Sequence, residues 1–73
     1  MLLEIGKTYK TESGDIVKII RNDIDLGYHS NQPFFGFIKT ISGDLVRLAY
    51  FSQNGIYNLY GKSIFNIIEE YDV

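Results

Sequence analysis

The chain has 73 residues, a formal net charge of −2, no cysteine and a single histidine, His29. That length holds one domain, and domains this small are marginal without additional burial. Disulfides and thiolate metal sites are excluded, one histidine speaks against structural zinc, and self-association is the expected support.

Apolar residues make up 45% of the chain and charged residues 22%, the balance of a globular protein. The acidic charge argues against a long polyanion such as nucleic acid as partner, yet leaves room for a small phosphorylated ligand that needs only a few cations. No apolar run reaches the roughly 18–20 residues that cross a bilayer. Met1-Leu2-Leu3-Glu4 lacks the basic start and apolar stretch of a leader, so a cytoplasmic location is expected.

In chain order, Gly6 to Thr11 reads as a first strand. The turn Glu12 to Asp15 leads into Ile16 to Asn22, rich in β-branched residues. Asp23 to Gln32 loses all periodicity, is closed by Pro33, and reads as a long loop of the kind that often carries function. Phe34 to Thr40 is a third strand in which Gly36 suggests a bulge or sharp bend. Leu45 to Phe51 is a fourth, and Asn54-Gly55 signals a hairpin into a fifth over Ile56 to Tyr60. Lys62 to Asn66 is expected to make one tight helical turn, and Ile67 to Tyr71 a closing strand paired with the first. Five or six short strands with glycine turns predict an all-β fold, a small SH3-like barrel or roll.

Ten residues occur twice. Lys10 to Ile19 returns as Lys39 to Leu48 with six identities and three like-for-like exchanges. Each copy is a strand end, a Ser-Gly-Asp turn and an alternating apolar strand. Convergence on a good hairpin tip and an internal duplication both explain it. Alternation assigns Val17, Ile19, Val46, Leu48 and Tyr50 to the core. The opposite face holds Ile16, Lys18, Ile20, Leu45, Arg47, Ala49 and Phe51. It is too apolar to be purely solvated: it either packs under the long loop or, as small domains need additional burial, forms a subunit or partner interface through Ile16, Ile20, Leu45, Arg47 and Phe51.

Gly6-Lys7-Thr8-Tyr9-Lys10-Thr11, Gly14, Val17-Lys18-Ile19, Pro33-Phe34-Phe35-Gly36, Phe51 to Tyr57 and Ser63 to Glu69, taken in order, resemble a group of small phage-encoded proteins with SH3-like barrels. Members commonly carry Trp near position 50 and Asp near position 54, where this chain has Tyr50 and Asn54. The resemblance implies a phage accessory protein in the host cytoplasm. It further implies a role against host defence, by masking an effector or by sequestering its nucleotide signal.

For chemistry, His29 with Ser30 is the only nucleophile–base pair on offer, and sequence neighbours seldom reach that geometry. Glu69, Glu70 and Asp72 read as a solvated end of the chain, and Asp15 and Asp44 as turn residues. No catalytic group, cofactor or metal is therefore expected. Six Tyr and five Phe are the richest resource. Stacking a base on an aromatic ring is favourable by roughly 1–3 kcal/mol, and Arg can cap the other side. Arg21, Tyr28, His29, Asn31, Phe35, Lys39, Tyr57, Tyr60 and Lys62 are the expected ligand residues. The expected function is non-enzymatic: sequestration of a nucleotide-derived immune signal by a homo-oligomer. The alternatives are a protein–protein inhibitor of a host defence protein and, less favoured by charge, a single-stranded nucleic-acid binder.

Overall fold

The computed structural model describes residues 2–27 and 30–71. Five strands, β1 (Thr8–Thr11), β2 (Ile16–Asn22), β3 (Phe34–Lys39), β4 (Leu45–Phe51) and β5 (Ile67–Glu70), form one antiparallel sheet in the order β4-β3-β2-β1-β5. The fold is the small all-β barrel or roll that the strand pattern predicts. Residues 52–66 carry the chain from β4 at one edge of the sheet to β5 at the other. No helix among the described residues is long and apolar enough to cross a membrane.

Three turns obey one local rule. In the first, Thr11 N–H donates to the Asp15 carbonyl, Gly14 N–H donates to the Thr11 carbonyl, and Thr11 Oγ1 accepts from Asp15 N–H at 3.2 Å. Thr40, Gly43 and Asp44 repeat all three bonds, with the hydroxyl bond at 3.0 Å. Ser52, Gly55 and Ile56 repeat them again, also at 3.0 Å. Glycine takes φ of 87°, 97° and 86° at the fourth position, a region other residues enter only with strain. The third turn shares the grammar without the Ser-Gly-Asp sequence. Local turn chemistry therefore accounts for the turn part of the repeat, Thr11 to Asp15 and Thr40 to Asp44.

The core is made by Leu3, Tyr9, Val17, Ile19, Phe34, Ile38, Ala49, Phe51 and Ile67, with Tyr57 and Phe65 packed against it. Here the face assigned to β4 is corrected. Phe34, Gly36 and Ile38 alternate inward, and across the ladder they meet Phe51, Ala49 and Arg47. Residues directly opposite share a face, so Phe51 is fully buried while Val46 and Leu48 are exposed. A register shift between Ile38 and Lys39 leaves Val46 as the extra residue. The second copy of the repeat thus keeps the turn of the first but turns its strand over. Phe51 consequently does not belong to an outer interface, Arg47 lies in the inward phase yet stays exposed, and Val46, Leu48 and Tyr50 do not belong to the core.

Two further expectations change. Ile56 to Tyr60 is not a strand, because side-chain amides serve its backbone instead of a ladder. The Gln32 amide donates to the carbonyls of Ile56 and Tyr57, and Asn66 Oδ1 accepts from Tyr57 and Asn58 N–H. Lys62 to Asn66 is not helical but contains a hydrogen-bonded turn, Asn66 N–H to the Ser63 carbonyl. The single helical turn among the described residues, a 3-10 turn over Ile24–Leu26, lies in the long loop and ends at Gly27.

Gly36 marks a close approach of strands, not a turn. A Cβ there would sit 2.5 Å from the Lys18 carbonyl oxygen and 3.1 Å from Ile19 Cδ1. The β2 strand bulges opposite this glycine, between Ile19 and Arg21.

Candidate ligand-binding face

The odd-numbered residues of β3 point away from the core, and this fixes the outer face. Phe35, Phe37 and Lys39 lie opposite Arg21, Lys18 and Ile16 on β2, and opposite Tyr50, Leu48 and Leu45 on β4. Phe35 and Phe37 are half-buried, their ring centroids 6.4 Å apart at 74°. Tyr50 packs on Phe35 at 4.9 Å. The Arg21 guanidinium lies over the Phe35 ring at 4.4 Å, and Lys39 Nζ lies 5.8 Å from the Phe37 centroid. Three adjacent aromatic rings with two cations above them form the centre of the face.

Arg21 is held in place. Its Nε donates to Asp23 Oδ1 at 2.7 Å and its Nη2 to the Tyr50 hydroxyl at 3.3 Å, while that hydroxyl donates to Asp23 Oδ2 at 3.0 Å. Asp23 is 3% exposed, so its charge is compensated by these donors and not by water. Bonding to Asp23 and then to Tyr50 pushes the Arg21 pKa above its ordinary value. The guanidinium is therefore permanently charged, fixed in plane and paired with a carboxylate. It is better suited to offering a flat surface than to supplying uncompensated positive charge. Lys18 and Lys39, which flank Phe37, supply that charge.

The β4 side of the face ends in an apolar hollow of about 320 Å³ lined by Phe37, Lys39, Gly43, Leu45 and Leu48. On the opposite face of the same β2–β3 pair, Asn22, Asn31, Gln53 and Asn54 surround a cleft of about 390 Å³ over Phe34 and Ile24. Among the described residues no charged side chain lines that cleft, and what they offer there is amide hydrogen bonds.

Of the residues expected at a ligand site, the sheet brings Arg21, Phe35 and Lys39 together. Ile16 and Leu45 share their face, and Ile20 is exposed at the bulge. Asn31 lies in the amide-lined cleft. Tyr57 belongs to the core margin, where its hydroxyl accepts from Arg47 and its ring meets Phe51 and Phe65. Arg47 lies 5.2 Å from the Phe65 ring, on the inner side of the sheet. Tyr60 is 99% exposed and Lys62 is exposed beside it, with no place on the aromatic face. Tyr28 and His29 lie outside the described residues. Phe37, Tyr50 and Asp23 belong to or brace this candidate face and are residues that sequence reasoning missed. The strict Phe35-x-Phe37-x-Lys39 alternation was the signal for the first.

Comparison with protein-family models, with curated proteins and with solved structures finds no match for this chain.

Proposed function

We propose that this protein is a non-enzymatic binder of a nucleotide-type ligand and works by sequestering it. One observation carries the reading: the Phe35–Tyr50–Phe37 cluster is accessible, is capped by an immobilised arginine, and has lysines at its border. Aromatic and guanidinium planes stack bases, and the surrounding ammonium groups suit phosphate. The restricted number of cations fits a small ligand better than a long polyanion. The resemblance to small phage proteins supplies the setting, the removal of a nucleotide signal used in host defence.

Titration calorimetry of the full chain against AMP, ADP-ribose and cyclic nucleotides tests this. Saturable binding that weakens about tenfold in Phe35→Leu, the loss of one stacking partner, is the expected result. Absence of binding to every one of them at millimolar concentration would reject the reading.

A second reading, association through protein surface, is favoured by β4. This edge strand has no proline and a single charged residue, and Leu45, Val46 and Leu48 are exposed along it. Edges without such protection pair with other chains. A second copy of this chain docking there would bury the apolar shoulder and place two aromatic faces in one assembly. The host-protein alternative would use the same edge.

A further inference from the structure

Resting on the nucleotide reading, we propose that the outer face is a two-base site, built for a ligand in which two bases are joined by a phosphodiester. One base stacks on the outer plane of the Arg21 guanidinium, which itself rides on Phe35 at 4.4 Å. The other takes the Phe37 ring, with the linking phosphate against Lys39 and Lys18.

The spacing decides for two seats over one. Phe35 and Phe37 are separated by one residue on a strand, and their centroids stand 6.4 Å apart. Neighbouring bases that remain stacked on each other rise only about 3.4 Å. A single base lying on the Arg21 plane above Phe35 leaves the Phe37 ring uncovered. Bases placed over both positions, whose underlying rings stand at 74°, are splayed and not stacked on each other, the arrangement in which single-stranded nucleotides are read. A duplex keeps its bases in a parallel stack and is not expected there.

Charge placement agrees. Arg21 is compensated by Asp23, so the first seat is nearly neutral in sum and holds a base. The second seat carries the uncompensated cations: Lys18 lies opposite Phe37 across the ladder, and Lys39 approaches the same ring. One phosphodiester carries one negative charge and fits between them. A terminal phosphate of higher charge gains no further cation here.

The test titrates the full-length chain with AMP, a linear adenine dinucleotide, a cyclic adenine dinucleotide, a single-stranded adenine hexamer and a duplex of the same length. A dinucleotide is expected to bind roughly 5- to 150-fold tighter than AMP, the range a second stacked base supplies. In Phe37→Leu, with folding verified by its urea midpoint, the dinucleotide-to-AMP ratio is expected to fall near one. A hexamer that binds no tighter than the dinucleotide supports a free dinucleotide as the source, whereas a hexamer that binds tighter supports a single strand. AMP binding as tightly as either dinucleotide would overturn the two-base site and leave the nucleotide reading standing. Duplex binding as tightly as hexamer would also overturn it, and failure of every nucleotide to bind would remove both.

Discussion

Replacing Phe51 by Ala tests the face assignment of β4 most directly. The ring is fully buried, opposite Phe34 on the ladder and 5.9 Å from Tyr57. Removing a buried Phe side chain costs about 3–5 kcal/mol, from lost transfer energy and from the cavity left behind. Ile19 and Ile38 are fully buried in neighbouring strands and have little freedom to fill the void, whereas Tyr57 is half-exposed and can tilt inward. That relaxation places the expected loss near 4 kcal/mol, within the same range. A domain of this length has roughly 4–11 kcal/mol in total, so the variant should sit at or close to unfolding. For a domain of this size a loss of 3–5 kcal/mol corresponds to roughly 12–40 °C in Tm. Urea denaturation followed by far-UV circular dichroism measures it, with Leu48→Ala on the same strand as the exposed control. A Phe51→Ala loss below about 0.5 kcal/mol, no larger than a typical surface substitution, would refute the inward phase of Phe51 and return it to the surface.

Three other outcomes are expected. Gly36→Ala drives a methyl group against the Lys18 carbonyl, which strands on both sides prevent from moving. It should cost about 1–3 kcal/mol in urea denaturation and also weaken nucleotide binding, since Phe35 and Phe37 flank it. Asn66→Ala withdraws the acceptor from two backbone N–H groups, for a loss of about 2 kcal/mol. Asn66→Asp keeps the acceptor and should recover most of that loss, and equal instability of the two variants would show that the hydrogen bonds are not the cause. Leu48→Lys should leave the urea midpoint within about 0.5 kcal/mol of the parent while reducing the mass seen by light-scattering chromatography. A parent chain that is already monomeric at every accessible concentration would dispose of self-association through β4.

What was legible in the sequence is what is decided locally. The hairpin tips could be read because a hydroxyl, a glycine and the next amide settle their geometry within five residues. Pairing of Ile67–Glu70 with the first strand is the non-local exception that the sequence reading also expects. The phase of β4 was not, since it depends on a register shift against β3 that leaves Val46 unpaired. Alternation continues unbroken through such a shift in the sequence. Ile56 to Tyr60 has the composition of a strand, but Gln32 and Asn66 reach its backbone first, and neither partner is predictable from strand propensity. The aromatic face was half visible. Arg21, Phe35 and Lys39, expected to act together, do share this face, whereas Tyr50 depends on the phase of its strand and Phe37 reads as an ordinary strand residue.

Pairing of β1 with β5 constrains the order in which this protein can be made. Tyr9 and Glu70 are ladder partners although 61 positions separate them, and Ile67 contributes to the core. A ribosome adding roughly 5–20 residues per second releases β1 seconds before its outer neighbour exists. During that interval the nascent chain has β2 to hold one side of β1 and nothing for the other. The sheet therefore cannot be completed before residues 67–70 have left the ribosome. A message truncated before codon 67 would yield a chain with one side of β1 unpaired and the Ile67 part of its core unfilled.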